Sequence, residues 1–179
     1  MLSRYHPAQV ALHWLSALLV LVAWLIGAFV FDAVRHSDDA LRLLALRTHM
    51  AVGLAVAFVI ALRLALRFAL EQPPSATSGS TALDRLARGV HAALYVAALA
   101  VPASGLVLAA TKGLMPIVLG NSRAPIPGGM HDAPAHEVHE TIAAALVLLV
   151  ALHALAALYH QFVRRDGLLA RMWFRRETS

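Results

Sequence analysis

Residues 135 to 162 read AHEVHETIAAALVLLVALHALAALYHQF, an apolar run with histidines set into it. His139 opens the run, His153 lies within it and His160 closes it. At 100° per residue, a separation of 14 returns to nearly the same helix face, about 21 Å further along the axis. His160 follows seven residues later and stays on that face. Neutral imidazole is a good haem and transition-metal ligand, and it brings no charge into hydrocarbon. One helix stripe therefore offers ligating nitrogen at two separate depths, with a third imidazole at its end. Two further histidines sit at the edges of other apolar runs, His13 in VALHW and His49 in RTHMAVG.

The elements that must position these rings are membrane helices. Of 179 residues, 60% are hydrophobic and 14% charged, against roughly 45–50% and about 25% in soluble domains. A helix needs about 20 apolar residues to cross the hydrocarbon core. Four runs meet that length, at about 10–31, 47–69, 88–111 and 138–163. The expected fold is all-α, an integral membrane four-helix bundle, with residues 1–179 as one domain. Pro102 lies inside the third run, which membrane helices tolerate. The first run is longer than the apolar stretch of a signal peptide and has no A-x-A site after it, so a retained span is expected. Residues 32–46, 70–87 and 112–137 read as connections. The chain has no cysteine, which excludes disulfides, iron–sulfur clusters and covalent c-type haem.

Topology follows from the basic residues. Ten Lys and Arg fall on the side that holds both termini, among them Arg63, Arg67, Arg164, Arg165, Arg175 and Arg176; five fall on the other, namely Arg35, Arg42, Arg47, Lys112 and Arg123. Both termini are expected to be cytoplasmic. The same placement explains the net charge of +5 without any nucleic-acid partner.

Depth then pairs the histidines. His49 and His139 begin their spans on the outer side, while His13 and His153 lie toward the cytoplasmic side. Two imidazole pairs stacked about 20 Å apart are what two b-type haems need. Bis-histidine iron has no open position, which suits electron transfer rather than oxygen binding. Gly53, four residues after His49, would clear space on the same side. Arg63 and Arg67 could meet haem propionates.

Simpler roles compete at each position. An isolated intramembrane histidine often serves only as a hydrogen-bonded helix contact, but four at matched depths do not read that way. His91 suits a structural or interfacial role. Gly53 could serve helix packing, Arg63 and Arg67 could be positive-inside anchors, and Trp14, Trp24 and Trp173 interfacial aromatics. His136, His139 and Glu140 could bind a surface zinc ion, which would leave His13, His49 and His153 unexplained. No role is read for His36 or His131.

The stretches RYHPAQVALHW, THMAVG, ALAVPASGLVL and HETIAAALVLLVALHALAALYH together resemble the prokaryotic cytochrome b561 family over nearly the whole chain. The resemblance implies a multi-pass dihaem cytochrome of the bacterial inner membrane, with axial ligands at His13, His49, His139 and His153. It also implies an activity: electrons taken from superoxide, with release of dioxygen, and passed through the haems to ubiquinone. Outer cations Arg42, Arg47, Lys112 and Arg123 could draw in the superoxide anion. His160 matches a histidine of the family and could contact quinone; otherwise it is a helix-end residue reaching the interface. An electron relay between a periplasmic redox partner and quinone would use the same haems. The outer loop 112–137 carries no motif, and a partner could act there.

Overall fold

The computed structural model describes residues 4–74, 79–122, 124–129 and 132–174. Arg123, His131, Arg175 and Arg176 lie outside the described residues. The described chain is all-helical, and four of its helices are long and apolar enough to cross a membrane.

Helix α1 (Pro7–Leu25) starts with proline in its first turn, where the missing N–H costs no hydrogen bond. The His6 imidazole caps it, accepting from the Ala8 N–H at 3.2 Å. A π-helical turn, Ile26–Val30, and the short α2 (Phe31–Ala33) extend the span to Ala33. Helix α3 (Asp39–Ala69) begins two turns earlier than its apolar run. Asp38 explains the difference, since its carboxylate accepts from the Leu41 N–H at 2.8 Å and nucleates a polar first stretch. Helix α4 (Thr81–Thr111) likewise begins ahead of its apolar run. It ends at Lys112, followed by Gly113 in the left-handed region (φ 64°), the usual helix-stopping geometry. The connection at 112–137 is not irregular throughout, because it holds α5 (Leu114–Val118), whose Leu114 is almost fully buried. Helix α6 (Pro134–Tyr159) continues through a second π-helical turn, His160–Arg164.

The long helices run alternately up and down, and the first and last described stretches meet at one end, here the proximal end, where the Tyr5 N–H donates to the Arg171 carbonyl. Packing follows chain order: α1 lies on α3, α3 on α4 and α4 on α6. Small side chains make the α4 contacts close, with Ala97 and Ala98 buried against Val56, Ile60 and Leu146. Large apolar side chains such as Phe58, Phe68 and Val96 face outward, as a surface solvated by lipid requires. Helix α6 and the α1–α3 pair stand apart, and histidine rings bridge the space between them.

The distal connection is tied down by cations. Arg47 donates through Nε to the Val118 carbonyl at 2.9 Å and through a terminal nitrogen to the Ile117 carbonyl at 3.2 Å. Lys112 Nζ donates to the Gly129 carbonyl at 2.9 Å. At the proximal end, residues 166–174 fold back over the bundle. The Trp14 indole donates to the Met172 carbonyl at 2.8 Å, and Arg171 donates to the Pro74 carbonyl at 2.9 Å. Removing the Arg47 guanidinium takes the donor from the Val118 carbonyl and leaves the Ile117 carbonyl only its backbone partner, the Gly120 N–H. Arg47→Ala should therefore raise amide hydrogen exchange across 114–120 while leaving the four spans protected; unchanged exchange there would show that the tie holds nothing.

Candidate functional site

Two pairs of imidazoles bridge α6 to its neighbours. His13 of α1 faces His153 of α6, with ring centroids 6.2 Å apart. His49 of α3 faces His139 of α6, also at 6.2 Å. A metal–imidazole bond is about 2 Å long, so two ligating nitrogens sit about 4 Å apart across one ion and the ring centroids roughly 2 Å further. Each pair thus has the span that one metal held between two imidazoles requires.

The distal pair is oriented by its surroundings. His139 Nδ1 lies 3.1 Å from the Val101 carbonyl and 3.0 Å from Ser104 Oγ. Donation from Nδ1–H to that carbonyl leaves Nε2 with its lone pair, the tautomer a metal needs. His49 Nδ1 is buried, and among the described residues no group meets it with good hydrogen-bond geometry. Glycines let the backbone come close to both rings. A Cβ at Gly105 would lie 3.1 Å from His139 Cε1, and one at Gly27 would lie 3.4 Å from His49 Cε1. Gly27 sits in the π-helical turn of the first span, a bulge type frequent at functional sites. A Cβ at Gly53 would meet nothing within 4 Å. The glycines that set the approach are therefore Gly27 and Gly105.

The proximal pair has a polar cradle. Arg63 donates to Ser16 Oγ at 3.0 Å and to His13 Nδ1 at 3.0 Å, and it lies over the Tyr95 ring at 5.5 Å. Ser16 in turn donates to the His13 carbonyl at 2.8 Å. No carboxylate pairs with Arg63 among the described residues. A third imidazole joins here, His91, whose ring centroid is 5.2 Å from that of His153 and whose Nδ1 binds the Ala87 carbonyl at 2.7 Å. Trp14 stacks edge-on to His13 at 5.3 Å and to Trp173 at 5.5 Å, so rings run from the pair to the proximal surface. Arg67, one turn beyond Arg63, is exposed.

The remaining expected residues separate. His160 is not in either pair. Its Nδ1 contacts Asp166 Oδ2 at 2.5 Å at the proximal surface. That hydrogen bond holds the Asp166 carboxyl below the usual carboxylate range, helped by the Leu168 N–H and by Arg164. The zinc alternative is not assembled. His136 lies 3.8 Å from Glu140, His139 is turned to α4, and among the described residues no group of three His, Asp or Glu is arranged to hold a metal ion. Arg42 is paired with Asp39 at 3.2 Å, and Arg47 and Lys112 are held by the loop carbonyls. A pocket of about 410 Å³ opens beside Arg47, lined also by Asp39, Gly120 and Ile126. His36 is exposed in the turn after α2.

The model of the prokaryotic cytochrome b561 family matches residues 4–175. The chain belongs to that family. It is 33% identical over 171 residues to cytochrome b562 of Cereibacter sphaeroides, covering 94% of each chain. It is 29% identical to cytochrome b561 homolog 1 of Escherichia coli, covering 98% of this chain and 100% of that one. It is 26% identical to a probable superoxide oxidase CybB of Yersinia pestis, covering 94% and 95%. Family membership and the four spans make it a multi-pass electron-transfer protein of the bacterial inner membrane, in the oxidoreductase class, with b-type haem as its cofactor.

The glycine contacts can be tested on haem content. Gly105→Ala should displace the His139 ring by a few tenths of an ångström and lower the haem b bound per purified chain. Gly53→Ala, which adds a methyl to open space, should leave it unchanged. Equal haem content in both variants would show that the close approach at Gly105 does not matter.

Proposed function

We propose that the chain holds two b-type haems, one between His13 and His153 and one between His49 and His139, and carries electrons from superoxide to ubiquinone. The observation that carries this reading is the 6.2 Å spacing repeated in both histidine pairs. Three further features fit a haem. His49 Nδ1 is buried, with no well-formed hydrogen bond among the described residues. Gly27 and Gly105 keep side chains out of the distal gap. Arg63 is a partly buried cation without a carboxylate, and buried charges are normally paired. A haem propionate would supply that anion. It would also draw Arg63 off His13 Nδ1, and because arginine only donates, this frees the ring to ligate through its other nitrogen. Arg67 is placed to meet a propionate at the surface.

Bound haem supplies a one-electron couple, Fe(III)/Fe(II), at each pair. The chain's own residues do the rest. Val101 and Ser104 fix the His139 tautomer, and Arg63 stands beside His13 to meet the propionate. The excess of arginine at the proximal end argues that this end is cytoplasmic. The distal end then faces the periplasm, where Arg47 and Lys112 keep their charge although their hydrogen bonds go to carbonyls. That charge favours the approach of a superoxide anion. Quinone, on this reading, binds at the proximal end, with His160 as its contact.

Two measurements test this. In purified variants, His49→Ala and His139→Ala should each lose the same visible-absorption component, and His13→Ala and His153→Ala the other; loss of different components within one pair contradicts the pairing. Superoxide should reduce the purified holoprotein and yield ubiquinol, at a rate that falls as salt screens Arg47 and Lys112. No reduction beyond spontaneous dismutation would remove superoxide as donor and favour a relay from a periplasmic redox partner.

A further inference from the structure

The His160–Asp166 contact lies outside both histidine pairs and is built with some effort. The helix widens into a π turn starting at His160. Arg165 then takes the left-handed conformation (φ 53°), which is unfavourable for a residue with a side chain, and Gly167 takes it again (φ 73°). The reversal at Arg165 returns Asp166 to the helix end, and the one at Gly167 turns the chain after it. One carboxylate oxygen, Oδ2, meets His160 Nδ1 at 2.5 Å; the other, Oδ1, accepts from the Leu168 N–H at 3.3 Å. Arg164 Nε stands 3.6 Å from Oδ2, and the Tyr159 ring lies edge-on to His160 at 5.9 Å. Both side chains of the pair keep about a quarter of their surface open, 27% for His160 and 29% for Asp166. Backbone strain is retained where the surroundings enforce it, and such positions cluster at working sites.

We propose that Asp166 is a positioning residue for proton delivery to quinone, holding His160 by Nδ1 so that Nε2 is the nitrogen that exchanges protons; this rests on the placement of quinone beside His160. A carboxylate only accepts, so the Nδ1 proton stays on the Asp166 side in both charge states of the ring. Nε2 alone gains and loses a proton, and the ring cannot rotate to present the wrong nitrogen. Reduction of one ubiquinone to ubiquinol takes two electrons and two protons. Two superoxide molecules supply the electrons and leave as dioxygen, and both protons come from water at the proximal surface. His160 Nε2–H gives one of them to a quinone carbonyl oxygen, the N–H bond breaking as the O–H bond forms. Nε2 then takes its next proton from water.

The test uses pre-reduced holoprotein mixed with ubiquinone-1, so that no superoxide is needed. His160→Ala should slow the saturating rate of reoxidation on the order of 100-fold, the scale of a lost proton donor. Asp166→Asn should slow it roughly 10- to 100-fold, as for other residues that orient a functional imidazole, with the half-saturating quinone concentration unchanged. Asp166→Glu should recover most of the rate. Independently of turnover, the 15N shifts of His160 should report a ring protonated at Nδ1 in the wild type. Normal reoxidation of His160→Ala would overturn the quinone placement itself. Slow His160→Ala with normal Asp166→Asn, or a ring protonated at Nε2, would overturn the role of Asp166 alone.

Discussion

Everything in this bundle depends on a separation: α6 packs chiefly on α4 and stands back from α1 and α3, and at two depths imidazole rings reach across. Apolar helices left to themselves close such gaps through small residues. Here small residues are spent on the α3–α4–α6 side, where Ala97 and Ala98 draw the helices together. On the other side the gap is kept at one value, 6.2 Å between ring centroids, at two depths. The hydrogen bonds that orient the rings come from backbone that was already nearby. Val101 presents its carbonyl one residue before Pro102, and Ser104 and Gly105 follow, so a single short stretch of α4 aims His139 and makes room for it.

The two ends of the bundle then differ in chemistry. At the distal end, cations are used as ties, and the loop they hold carries a pocket beside Arg47. At the proximal end, the chain folds back as a strap fastened to Trp14 and Pro74, with the His160–Asp166 contact at its root. A line of rings, His153, His13, Trp14 and Trp173, connects the proximal pair to that strap. Such asymmetry fits the proposed passage of electrons from one end of the bundle to the other.

Much of this was legible in the residues. Span number follows from apolar length, because hydrocarbon thickness sets it. The histidine partners follow from helical rise, which puts residues 14 apart on α6 at two depths, together with the span ends at which His13 and His49 fall. What was not legible depends on neighbours in space. The polar first turns of α3 lie outside the apolar run and are helical because Asp38 caps them. Gly53 lies close to His49 in sequence, yet the tight contacts belong to Gly27 and Gly105, which come from other helices. Arg47 and Lys112 read as outer cations that could draw in an anion, and their hydrogen bonds to carbonyls of a connection that carries a short helix, α5, were not legible. Asp166 gave no signal, because only a left-handed residue at 165 brings it back to His160.

The central claim is that the two pairs hold one haem each. It is tested most directly by quantifying haem per chain in the purified protein, together with its reduced-minus-oxidised visible spectrum. The account predicts two b-type haems per chain, both with low-spin bands. One haem per chain would mean that one of the two 6.2 Å pairs is only a helix contact, and none, after expression with ample haem, would contradict the account outright.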